Sequence, residues 1–255
     1  MRIILLICLA LIASCSTLST DNETVFAYEY NEALVKEKPI KKVIVAPVNL
    51  GVPAPSHLRK AQLKVRAMVR DYLKDNGYEI LPDYHFENAW QQASRTYGDI
   101  YDPTTGKIDA NAWRAAMVIT GERLREQTDA DAIVFADLFE HNVQHSASFN
   151  HYARWYGVSR KPDLIGSGDS VQMDFNWSQP IKAASLMITI FNVELNRVFT
   201  SRGGIDTLEG VDTKRSTAIF IRKKKLLKND RFIEEGIELA FHPFIVMKGY
   251  PAKTP

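Results

Sequence analysis

A mixed α/β fold is predicted by three features of the chain. Lys42-Val-Ile-Val-Ala-Pro47 and Tyr78-Glu-Ile-Leu81 are short apolar runs that flank a stretch with helical periodicity, which is a strand–helix–strand unit. Ala132-Ile-Val-Phe-Ala-Asp-Leu-Phe139 is the strongest strand signal. Ala184–Val193 alternates between two faces and returns through Val198–Gly204, the pattern of an antiparallel hairpin. A right-handed crossover makes the first two strands parallel, so the sheet is mixed, with helices packed on it.

Each element has a local reason. Pro47 closes the first strand, and Ser56 is placed to cap the helix that follows. Leu58, Ala61, Val65, Met68, Val69 and Tyr72 then recur at three- and four-residue steps, with most of the Lys and Arg off that stripe. Asn76-Gly77 is a helix stop, and Pro82 ends the second strand. Tyr84, Phe86, Ala89, Trp90 and Ala93 mark a second helix, and the turn-rich segment 98–106 leads to a third over 111–127. The Ala132 strand continues weakly to Val143. Residues 146–180 are aromatic, rich in Gly and Ser and without periodicity, so they read as an irregular insertion. From a cap at Asn229 or Asp230, Phe232, Ile233, Ile237, Ala240 and Phe241 form the face of a last amphipathic helix that stops near Pro243.

The 255 residues are 45% hydrophobic and 24% charged, which excludes a collagen-like, disordered or multi-span membrane chain. With 32 Lys and Arg against 30 Asp and Glu, the net charge of +2 gives no reason to expect nucleic acid as a partner. The start of the chain is more specific. Met1-Arg2 precedes an unbroken apolar run from Ile3 to Ala13, the layout of a secretory signal and too short for the roughly 20 residues a membrane-spanning helix needs. Leu11-Ile12-Ala13-Ser14-Cys15 resembles the lipobox of bacterial lipoproteins. The resemblance implies cleavage before Cys15, a diacylglycerol thioether on its sulfur and an acylated amino group. Ser16 after the cysteine implies the outer membrane, with the protein facing the periplasm. On this reading residues 1–14 are a signal peptide, 15–40 a lipidated tether and 41–250 a single domain. Within the tether Phe26, Tyr28 and Tyr30 alternate, as an edge strand docking on the domain would or as a contact site would. Cys8 leaves with the signal, so no thiol remains for a disulfide, metal or nucleophile.

The order of elements from Lys42 to the last helix resembles the periplasmic α/β domain shared by the amino-terminal part of the translocation protein TolB, the penicillin-binding-protein activator lipoprotein LpoB and the curli secretion lipoprotein CsgG. Gly98–Asp109, Arg154-Trp-Tyr-Gly-Val-Ser159 and Arg202-Gly-Gly-Ile205 are similar to segments of uncharacterised lipoproteins of Gram-negative bacteria. The resemblance implies a docking or assembly module without catalysis or cofactor, bound to an envelope protein or glycan.

Three groups of residues are candidates for that contact. Tyr152, Trp155, Tyr156, Phe175 and Trp177 lie in the irregular insertion, and Trp and Tyr dominate interface centres. As a contact surface they would be exposed and dispensable for folding; as a second small core they would cap the sheet, and both readings stay open. Arg222-Lys223-Lys224-Lys225 is either an anionic-surface contact or a solvated loop. His141, His145 and His151 carry the alternative of a hydrolase or metal-dependent enzyme. In an extended strand His141 and His145 stand about 13 Å apart at roughly 3.3 Å per residue, too far for one zinc. Gly166-Ser-Gly-Asp-Ser170 lacks the flanking strand and helix of a nucleophile elbow, and no zinc-protease or P-loop motif occurs.

Overall fold

The computed structural model describes residues 28–51, 53–98, 100–102, 104–105, 107–146, 151–166, 171, 175–214 and 218–249. The signal segment, Cys15, Phe26, Phe149 and residues 167–170 lie outside them. The elements are β1 (Glu29–Tyr30), α1 (Glu32–Glu37), β2 (Lys42–Val45), α2 (Gln62–Asp75), β3 (Glu79–Ile80), α3 (Asp83–Tyr97), α4 (Ala110–Gln127), β4 (Ala132–Val143), β5 (Ala153–Trp155), β6 (Val158–Arg160), β7 (Leu164–Ile165), β8 (Ile181–Asn192), β9 (Arg197–Thr207), β10 (Glu209–Asp212), β11 (Ile219–Arg222) and α5 (Asp230–Phe241). The main sheet has the order β1-β9-β8-β4-β2-β3. β3, β2 and β4 are parallel, and β4, β8, β9 and β1 are antiparallel, so the mixed sheet expected from the sequence is present.

Alternation along the long strands sorts the core into two layers. Val134, Ala136 and Leu138 of β4 and Leu186, Ile188 and Ile190 of β8 face α2 and α5, where they meet Val65, Val69, Leu73, Ile233, Ile237 and Phe241. The opposite face is covered only in part. There α3 and α4 pack Phe86, Ala89, Met117 and Leu124 on Ile44, Ile133 and Phe135. Asp109 caps α4 by accepting from the N–H groups of Asn111 and Ala112.

Several expectations need correction. α2 begins at Gln62 after a 3₁₀ turn at Arg59–Ala61, and Ser56 is not its cap. The Leu58 N–H donates to the Pro55 carbonyl instead, so the chain spends those residues in tight turns. The packed body starts well before residue 41. Tyr30 pairs with Phe199 in β1 and its ring meets Phe199 edge-on at 5.7 Å, so the edge strand expected from the aromatic alternation forms at Tyr30. The 146–180 insertion is not wholly irregular: β5 and β6 form a hairpin, and β7 joins β10 and β11 in a second, three-stranded sheet that the sequence reading missed. These strands are two to four residues long, too short to show a period.

Consecutive glycines in β9 serve both faces. A Cβ on Gly203 would lie 1.9 Å from the Gly236 carbonyl oxygen of α5, and one on Gly204 would lie 2.4 Å from Val158 and 2.7 Å from the Trp155 carbonyl oxygen. Both are impossible contacts, so α5 and the β5–β6 hairpin sit this close only because neither residue has a side chain. Gly203→Ala must push α5 off the sheet, and it is expected to cost about 2–3 kcal/mol. Thermal unfolding of the variant measures the loss; an unchanged midpoint would contradict this packing.

Candidate functional site

The part of the sheet that α3 and α4 leave uncovered forms a cleft. Its floor is Phe135 and Asp137 of β4 with Thr189 and Phe191 of β8, and Trp113 and Arg114 of α4, Ile108, Gly51 and Arg197 complete the wall. The space is about 400 Å³. Three elements fix it. The cap at Asp109 starts α4 so that Trp113 reaches the sheet. The Tyr101 hydroxyl donates to the Leu50 carbonyl at 2.7 Å, tying segment 98–109 to the loop that carries Gly51. A Cβ on Gly51 would already lie 3.2 Å from the Trp113 ring, so the loop lies flat against the indole.

The floor holds two polar groups that the fold does not satisfy. Asp137 makes no hydrogen bond or ion pair among the described residues, and burial alone lifts its carboxyl from the ordinary 3.8 to about 6. The Trp113 indole N–H is buried without an acceptor. The Asp137 carboxyl is half-buried and faces the open cleft, where a ligand could pair with it, whereas the Trp113 N–H is enclosed beneath Gly51. At the rim Arg197 is paired with Glu29, whereas Arg114 reaches only the Asn111 side chain, at 3.4 Å. The arrangement thus offers aromatic faces, a carboxyl raised to about 6, a hydroxyl and a guanidinium. Such a set binds and orients a ligand rich in hydroxyl or amine groups. The sequence carried one sign of it, an acid interrupting the apolar run Phe135-Ala-Asp137-Leu-Phe139.

The aromatic residues predicted as a contact surface divide. Trp155 is buried, 5% exposed, among Val143, Val158, Ile181 and Leu239, and its indole N–H donates to the Ser185 hydroxyl at 3.0 Å. It is core, not a contact residue, because the hairpin folds it onto β8. Tyr156 is half-buried, its ring 5.2 Å from the His141 ring with Arg202 over it at 5.7 Å. Tyr152 takes Lys161 over its ring at 5.5 Å. Phe175 and Trp177 are half-buried and pack with His145, His151 and Phe220, and His151 is stacked on Trp177 at 4.0 Å. The insertion is therefore largely a satellite core.

The three histidines do not converge. His141 meets the Ser185 hydroxyl at 2.8 Å, and burial lowers the imidazole from its usual titration range. That spacing suits a nucleophile and its base, yet Ser185 is 0% exposed beneath Trp155 and no substrate can reach it. His145 sits in the aromatic cluster, where burial first and His151 second push it down to about 4. Among the described residues no group of three or more His, Cys, Asp or Glu side chains is placed to hold a metal.

The basic segment is also divided. Arg222 donates to Glu140 at 3.0 Å, and Glu140 also meets His57 at 2.7 Å. Burial raises the Glu140 carboxyl, but Arg222 and His57 outweigh it and hold it below the usual range. Lys223 is largely buried and paired with Asp163 and Asp206, so it is unavailable for the anionic contact expected of it. Lys224 and Lys225 are exposed.

No protein-family model matches the chain, and no curated protein matches it. Among solved structures it is similar to a PelC variant dodecamer from Paraburkholderia phytofirmans, with 9% identity and a TM-score of 0.31 over 77% of this chain and 82% of that one. A likeness at that level carries neither fold nor function.

Two outcomes follow from this geometry. Asp137 binds its proton more tightly in the folded than in the unfolded chain, so its contribution to stability falls as pH rises from about 4 to about 6. Asp137→Asn is expected to raise the unfolding temperature by an increment that grows over that window and levels off above it; a pH-independent increment would contradict it. Trp155→Ala is expected to cost about 3–5 kcal/mol in denaturant unfolding, against near neutrality for a surface residue.

Proposed function

We propose that this protein is a lipid-anchored envelope lipoprotein, held to the outer membrane through Cys15 and facing the periplasm, whose domain binds a glycan of the envelope in the Trp113–Asp137 cleft. It performs no chemistry there. The supporting observation is the unpaired Asp137 carboxyl set among aromatic rings in one open cleft. A pyranose presents an apolar face to such rings and hydroxyls to the carboxyl and the guanidinium. The leader and Leu11–Cys15 support the address. Three acyl chains would make that anchoring stable, where a single chain is marginal.

The address is tested by the intact mass of the protein purified from its native membrane. The expected species starts at Cys15 and carries a diacylglycerol and a further acyl group; an unprocessed start or the absence of acyl groups overturns it. The site is tested by titrating the protein with oligosaccharides released from purified peptidoglycan. Asp137→Asn is expected to weaken binding about tenfold or more, the effect of losing a hydrogen bond to a charged partner. Because Asp137→Asn is expected to be at least as stable as the parent, a loss of binding there is not a loss of folding. No binding, or equal binding by parent and variant, overturns the glycan reading.

A further inference from the structure

Two basic segments far apart in sequence meet beside α2. Lys60 and Lys64, from the 3₁₀ turn and the first turn of α2, face the segment from Arg222 to Lys228 across a groove of about 700 Å³. Leu58 and Leu227, both buried, lie in its floor, with Leu226 and Ala61 partly covered. The charges separate into two sets. Lys64 is paired with Asp230, Arg222 with Glu140, and Lys223 with Asp163 and Asp206. Lys60, Lys224, Lys225 and Lys228 are exposed and have no carboxylate partner among the described residues. The paired set holds the groove in shape, and the unpaired set leaves four positive charges on its rim. Concentrating four like charges costs self-repulsion that a solvated loop alone does not need.

The direction of β1 relates this groove to the anchor. β1 runs antiparallel to β9, Glu29 opposite Thr200 and Tyr30 opposite Phe199, so the N-terminal end of β1 points along β9 toward Asp206. That end of the sheet is where Lys223 holds Asp206 and Arg222 holds Glu140. Within the described residues, the N-terminal end of β1 thus faces the end of the sheet beside which the groove lies.

We propose that the groove is a docking surface for the phosphates of anionic lipid headgroups, with Lys60, Lys224, Lys225 and Lys228 as the contacts and the aliphatic floor receiving the glycerol backbone. This rests on the lipid-anchored reading and adds an orientation to it: the groove lies on the bilayer, and the Trp113–Asp137 cleft is held away from it. Each basic residue near an anionic leaflet contributes roughly fivefold to the partition, so four suffice to fix the orientation of an already tethered domain.

The test is lysine footprinting of the full chain purified from its native membrane. The protein is reconstituted into vesicles of phosphatidylcholine alone, or of phosphatidylcholine with phosphatidylglycerol, and labelled with an amine-reactive ester. Modification of the four groove lysines is expected to slow by about threefold or more in the anionic vesicles, while Lys74 and Lys107 label equally in both. In the double variant Lys224→Glu, Lys225→Glu, whose side chains hold no structural partner, protection of Lys60 and Lys228 is expected to be lost. Equal labelling in the two vesicle types overturns the proposal. Protection by tripolyphosphate in phosphatidylcholine vesicles, without protection by phosphatidylglycerol, overturns it in favour of a soluble phosphate ligand. The intact mass reads the anchor separately. A chain without acyl groups is mixed with the same vesicles and footprinted alike, so failure of the anchor and failure of the groove are distinct results.

Discussion

The backbone of β9 at Gly203 and Gly204 is approached from both sides at once. α5 comes within contact of one glycine and the β5–β6 hairpin within contact of the other, and any side chain at either position would overlap backbone atoms. Much of the remaining architecture depends on that double approach. With α5 seated, Ile233, Ile237 and Phe241 close the larger core over β8 and β9. With the hairpin seated, Trp155 reaches Ser185 and the Gly204 N–H donates to the Tyr156 carbonyl at 2.9 Å. Arg160 joins the two sides: its guanidinium donates to the Ile205 carbonyl at 2.8 Å and to Glu235 of α5 at 2.7 Å, over the ring of Phe232. Such a junction tolerates little volume change because folded interiors are close-packed.

The long elements were legible because their burial pattern is regular. β4 opens with a run buried on both faces from Ala132 to Ala136, β8 is buried along most of its length, and α3, α4 and α5 carry apolar stripes with Asp109 and Asn229 capping α4 and α5. Ser56 misled because a capping residue followed by an apolar step also fits a turn, and the proline before it decided for the turn. The insertion was opaque for a different reason. β7 gains its backbone pairing from a distant strand, Val211 opposite Leu164, and no local window contains both partners. The same holds for the candidate sites. Trp113 and Asp137 lie on separate elements, as do Lys60 and Lys224, and only the packed sheet brings each pair together. Trp155 was legible as an aromatic residue of consequence, but not as a buried one, since an indole reads alike in a core and at a contact surface.

Charge within the molecule is distributed by accessibility. Where carboxylates meet cations they hold shape, as Glu140 does with His57 and Arg222 and as Asp83 and Glu87 do with Arg66 and Arg70 across the β3 edge. Asp137, a carboxylate without a cation, lies instead in an opening. The groove lysines are the surface counterpart, cations without internal partners beside cations that have them. That contrast distinguishes binding surfaces from structural ion pairs more clearly than the total of each sign.

The main sheet ends on both sides in a strand of two residues, β1 and β3. β3 is further flanked by the arginine clasp between α2 and α3, and β1 carries Glu29 bound to Arg197. A border so brief presents few free amide and carbonyl groups to a neighbouring molecule. Another copy meeting either end strand thus finds little template for joining edge to edge.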